Sequence, residues 1–316
     1  MGRRSADGGA VALKERALKE RALTDRVLKE RALTDRALGE RVRTVLGDRM
    51  RAMVGSTELD LSRPEGDDGL FGPDSATWAV HGDFPSMLIG GTASLLMQML
   101  HPGALAGVWD HSDFRRGMAG RLKRTAQFVT VTTYGSTAAA NASIARVRGI
   151  HRHVVGTLPD GRPYAADDPA LLTWVHAAEV ECFLRAHLAY RDPAMPVARQ
   201  DAYISEMAQI AQALGAENVP TSRAMLSAYL EGMRPALRVD HRTRDVARRL
   251  LDQPVGGMIG GPANTLMLKA AIDLLPRWSK RLHGWDAPAQ ARAGAGIRVG
   301  AAGIGHVLRW ALKPTS

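Results

Sequence analysis

Between Asp83 and Asp110 the chain carries no aspartate, glutamate, lysine or arginine: FPSMLIGGTASLLMQMLHPGALAGVW, residues 84–109. A run of this length has to leave water, into either a bilayer or a core. Gln98, His101, Pro102 and four glycines interrupt it, and charged residues at helical spacing follow at once. The expected structure is two buried helices that break at His101–Pro102, because proline disfavours helix at the residue before it. Peripheral contact with a membrane surface stays open beside that reading.

The remainder also reads as helix. Ala, Leu, Met and Arg are frequent and aromatic residues make up only 5%, a bias toward side chains that lose little freedom in a helix. Periodicity predicts helices over 119–134, 138–155, 169–190, 199–216, 221–237, 243–253 and 261–282, with a weaker one inside 297–312. Pro169 fits the first turn of the third, with Asp167 and Asp168 as cap candidates, and Gly215 fits the end of the fourth. No run of alternating β-branched residues stands out, and PDGRPYAADD reads as a turn. The fold class expected is all-α, one multi-helix domain over 61–316.

Residues 1–60 differ from this domain. ALKER, ALKER, ALTDR, VLKER, ALTDR and ALGER follow one another at five-residue spacing. Five residues advance about 500° on a helix, so successive leucines turn by about 140° and spiral round the axis. That gives no coiled-coil seam. The expectation is a low-complexity helical arm held by acid–base pairs along its surface.

The net charge of +10 suggests nucleic acid as a partner. The arginines are scattered, however, no aromatics interleave with them, and no zinc, RRM or KH pattern occurs, so no nucleic-acid partner is expected. The single cysteine, Cys182, excludes an intramolecular disulfide framework. It reads as a small buried hydrophobe in a reducing, cytoplasmic setting. The N-terminal MGRRSADGG lacks the apolar segment of a secretory signal.

Chemistry has to come from the histidines and their neighbours. In ARVRGIHRHVVG (145–156), Val147, Ile150, His151, Val154 and Val155 share one helical face, among basic residues on the other sides. His151 is therefore either a core histidine bonded at both nitrogens or a ligand to iron. His176 and Glu179 stand three apart on one face with Leu172, Val175, Cys182 and Phe183, so both reach one point. A structural pair is the plain reading, and one HxxE falls short of a di-iron set. His101 precedes a proline at a helix break. His111 lies in DHSDF, next to Ser112 and Asp113 as caps. Arg121, Thr125, Phe128 and Thr132 share a face that suits an anionic ligand with an apolar body. His153, His187, His241, His283 and His306 read as surface residues. No Walker loop, GxSxG elbow or HExxH is present.

Four blocks, HPGALAGVWDHSDF, RLKRTAQFVTVTTYGS, RVRGIHRHVVG and GRPYAADDPALLTWVHAAEVECFL, resemble in order and spacing the MpaB-type oxygenase family, of which the rubber oxygenase is a distant branch. The resemblance covers about residues 75–285. It implies an all-helical, partly globin-like bundle that holds a b-type haem and uses dioxygen on a hydrophobic, isoprenoid-like substrate. By motif position it implies His151 as the proximal iron ligand, with Arg121 and Thr125 flanking the haem as catalytic and cofactor-binding residues. Arg124 stands where the family pattern has a lysine. It stays protonated, so it cannot ligate iron and counts as a contact to the cofactor. His111 and His176 join the cofactor-binding candidates, with Glu179 in support. A non-catalytic haem or gas-binding protein, and a cofactor-free helical binder of lipid or membrane surface, are the alternatives.

Overall fold

The structure, a computed structural model, describes residues 61–254 and 261–312. All but the last two of these belong to one compact unit, Arg49–Trp310. The other unit, Met1–Asp48 with Ala311–Ser316, lies almost wholly outside the described residues, as does the pentad repeat.

Twelve α-helices and one two-stranded sheet are described, and the fold is all-α as expected. The uncharged run folds as two helices. In the first of these, α2 (Phe84–Gln98), the Asp83 side chain caps the start by accepting from Ser86 N. The second, α3 (Pro102–His111), is capped by His101, whose Nδ1 accepts from Gly103 N at 3.2 Å. A short helix precedes them, α1 (Ala76–His81), capped by Ser75. After them come α4 (Phe114–Tyr134) and α5 (Thr137–His151), then a hairpin, β1 (Val155–Thr157) antiparallel to β2 (Pro163–Ala165). The long α6 (Pro169–Tyr190) starts at Asp168, which accepts from Leu171 N at 2.9 Å. α7 (Val197–Leu214) stops at Gly215, where φ is 109°, a conformation glycine adopts without strain. α8 (Arg223–Met233), α9 (His241–Leu251), α10 (Gly261–Leu274), α11 (Arg277–His283) and α12 (Pro288–Leu312) complete the chain.

Four sequence expectations are corrected. The helix predicted over 138–155 ends at His151, and Val155 enters β1; the segment read as a turn supplies β2. The 261–282 helix is two, since Pro276 cannot continue the first and caps the second. The weak C-terminal helix is longer than expected and begins at Pro288.

The core is built on α2 against α6, with α10 packed mainly on α2 and touching α6 as well. Trp174, Leu96, Met97, Leu100, Ala177 and Leu184 are fully buried there. The two helices approach closely at Gly90: a Cβ there would lie 2.9 Å from Phe183 Cδ1 and 3.0 Å from the Cys182 carbonyl oxygen. No helix among the described residues is long and apolar enough to cross a membrane.

One buried ion pair ties α12 to this core. Arg309 donates from Nε to Asp83 Oδ1 at 2.6 Å and from Nη2 to Asp83 Oδ2 at 2.8 Å and to the Tyr190 carbonyl at 2.8 Å. Burial raises the Asp83 carboxyl, but Arg309 and Ser86 outweigh it and hold it below the usual range. Arg309→Met strands that carboxylate. A fully buried broken pair costs about 3–5 kcal/mol. Ser86 still donates to Asp83 from backbone and hydroxyl, so a loss of about 2 kcal/mol is expected in urea unfolding at pH 7. Asp83 keeps its depressed value only with its partner. The parent's advantage over the variant should therefore hold at neutral pH and vanish as acid protonates Asp83.

Candidate functional site

α4 packs on α5, α5 on α7 and α7 on α6, whereas α4 and α6 make at most marginal contact. α1 bridges them, touching α4, α6 and α7. The four long helices thus form one packed column, with α1 against three of them. α4 and α5 are antiparallel neighbours, so Arg121 on α4 is level with the end of α5, and Thr133 with its start.

His151, the last residue of α5, is half-buried at the upper end. Its Nδ1 is buried without a hydrogen-bond partner. Burial lowers its pKa, against an opposing pull from Asp167, so the ring is the neutral base. The stripe expected around it is only partly interior. Val147 and Val154 are half-buried, but Ile150 and Val155 are each 53% exposed, and Val155 lies beyond the end of the helix. Val154 turns instead toward α3, where a Cβ on Gly107 would meet its Cγ1 at 3.4 Å.

Arg121 is half-buried and forms no ion pair or side-chain hydrogen bond among the described residues. Burial first, and then Arg124, lower its pKa, as expected of a cation lacking an anion. Thr125 is exposed, and its hydroxyl donates to the Arg121 carbonyl at 3.2 Å. Arg124 is exposed too. His111 lies outside the column: its Nε2 is 3.0 Å from the Val155 carbonyl oxygen, and its ring stands edge-on to Tyr164, so it braces the hairpin. His101 caps α3 as described.

His176 is 8% exposed, with Nε2 buried and unpartnered. Burial pushes its pKa down to about 4. Glu179, one turn on, is pushed up to about 7 by burial, yet it retains some accessible surface.

The sequence reading missed His81. It is buried at the lower end, with Nδ1 2.8 Å from Thr133 Oγ1 and Nε2 3.1 Å from the Tyr203 hydroxyl. Phe183 and Tyr203 meet its ring edge-on. Burial, with His187 nearby, pushes it down to about 3. The available signal was the pair of caps, Ser75 and Asp83, which bracket one short helix ending at His81. His187, read as a surface residue, is 3% exposed, and its Nδ1 is buried without a hydrogen-bond partner. His283 is half-buried and lies 2.9 Å from the Leu96 carbonyl oxygen. Both were misread because polar neighbours in sequence lie on other faces of their helices. The shallow cleft lined by Phe114, Arg115, Met118, Arg249 and Asp252 includes none of the candidate residues.

An all-helical frame with unpaired titratable groups turned inward suits a helical oxidoreductase domain. Residues 78–310 match the family described as ER-bound oxygenase mpaB/B'/Rubber oxygenase, catalytic domain. The chain belongs to this family, and the match takes in every candidate residue named above. It is therefore an enzyme of the oxygenase type. No curated protein and no solved structure matches the chain.

Proposed function

We propose that the chain is a haem b-dependent oxygenase that acts on a hydrophobic, isoprenoid-like small molecule with dioxygen. The observation that carries the reading is His151: a neutral, half-buried imidazole with an orphaned buried nitrogen, at the end of a helix. An imidazole kept neutral by burial is the form that gives its lone pair to iron. Arg121, a half-buried cation with no carboxylate of its own, suits a propionate, which it can hold through two parallel bonds. Arg124, exposed one turn nearer the solvent, adds positive charge at the same edge. Thr125 holds its hydroxyl on the Arg121 carbonyl, which fixes the turn of α4 that presents Arg121.

Bound haem would supply the dioxygen chemistry that no side chain here can perform. The chain's own groups bind it, orient it and keep water out. The apolar walls contributed by α6 and α7 favour a greasy substrate over water. The lone buried Cys182 fits a reducing compartment such as the cytoplasm.

Haem titration tests the proposal. The parent should develop a Soret band with one equivalent of haem, and His151→Ala should lose it or show a shifted, weakly held species. A band unchanged in His151→Ala overturns the ligand assignment. A parent that takes up no haem overturns the cofactor.

A further inference from the structure

His176 and Glu179 lie on the side of α6 that meets α7. Leu172, one turn before His176, packs with Ala208 and Ala211 of α7, and the Glu179 charge bears on Tyr203 of the same helix. The polar groups of α7 beside them are engaged. The Tyr203 hydroxyl is on His81. Glu206 accepts from Ala76 N at 3.1 Å and Thr77 N at 2.7 Å. Cys182, a turn beyond Glu179, is a buried thiol that burial keeps protonated. His187, two turns beyond Glu179, has a buried Nδ1 that also lacks a partner. His176 Nε2 and the Glu179 carboxyl, one turn apart, are both without one among the described residues. Leu172 and Phe183 of α6 and Met207 of α7 are buried hydrocarbon on the same two helices.

Two interior polar groups without partners carry a desolvation cost that a suitable ligand removes. A neutral imidazole nitrogen offers a lone pair or an N–H, and a carboxyl can likewise accept or donate. A hydroxyl donates and accepts at once, so it can satisfy both. A carbonyl can only accept. A carboxylate or phosphate would meet the Glu179 charge at low dielectric.

Resting on the oxygenase reading, we infer that His176 and Glu179 form the polar end of the substrate compartment, and that the substrate is an apolar alcohol whose hydroxyl bridges the two. The hydrocarbon body then runs up the column toward His151, and the hydroxyl end sets its register there.

Calorimetric titration of the full chain with 1-dodecanol, dodecane and dodecanoate tests this. The parent should bind the alcohol at least tenfold tighter than the other two. His176→Leu and Glu179→Leu, which leave no polar group stranded at their own positions, should bring the alcohol within about twofold of the hydrocarbon. Glu179→Gln keeps a donor and acceptor but loses the charge, so it should keep the alcohol preference and gain about tenfold for dodecanoate. Equal affinities in the parent, or a preference that survives both leucine variants, overturn the inference. The Soret band of each sample is recorded separately. A parent without one refutes the haem reading, whereas a normal band with no alcohol preference refutes only the compartment assigned here.

Discussion

Lowering the pH from 7 to 5 is expected to destabilise the protein by about 2 kcal/mol, and by about 4 kcal/mol in Glu179→Gln. Burial holds the folded-state pKa of His81 at about 3 and that of His176 at about 4, against 6.5 for an unperturbed histidine. As pH falls below 6.5 the unfolded chain takes up protons that the folded chain refuses, so stability falls with pH. At pH 5 each histidine contributes a loss of about 2 kcal/mol by this linkage. Glu179 works the other way. Its folded pKa of about 7 lies above the ordinary 4.5, so between those values the folded chain binds the extra proton and gains stability as pH falls. That gain is about 2 kcal/mol between pH 7 and 5, and it offsets only half of the histidine term. The amide in Glu179→Gln cannot titrate, so the variant exposes the whole histidine loss. Urea unfolding at the two pH values checks this. Stability that stays level or rises on acidification in both proteins would show that these imidazoles are not buried as described.

The helices were legible because local chemistry decides them. Asp168–Pro169, Gly215 and the His101–Pro102 break each fix a boundary through one backbone requirement, and each falls where the sequence put it. Site residues depend instead on what arrives from elsewhere in the chain. Thr133, Tyr203 and His81 come from three separate helices, so nothing near His81 in sequence announces their bonds. The end of α5 was lost for a related reason. Arg152 and His153 read as a continuing helix, but pairing of Val155–Thr157 with Pro163–Ala165 captures the segment just beyond them. Pairing across an intervening loop outweighed local periodicity. The apolar face that pointed to His151 was therefore drawn too long, although His151 itself faces inward.

Trp174→Ala is expected to lower stability by about 4 kcal/mol, the size of loss seen when a large aromatic leaves a close-packed core. Trp174 is fully buried, and its Nε1 donates to the Gln98 carbonyl at 3.1 Å. It thereby locks the end of α2 to the second turn of α6. Relaxation into the space is resisted, since Gly90 already brings the two helices to contact distance at Phe183 and Cys182. The void should persist rather than collapse. In a domain of this size the loss corresponds to roughly 10 °C in Tm. Trp174→Phe retains most of the volume but not the N–H, and should lose about half as much. His176 lies two residues beyond Trp174, so a loosened α6 also frees the unpaired imidazole. Haem uptake and alcohol selectivity should then decline before the fold is lost. Thermal unfolding of the two variants against the parent decides it. A shift under about 2 °C for Trp174→Ala would mean that the uncharged run of α2 is not held by α6, and that the column has no fixed wall.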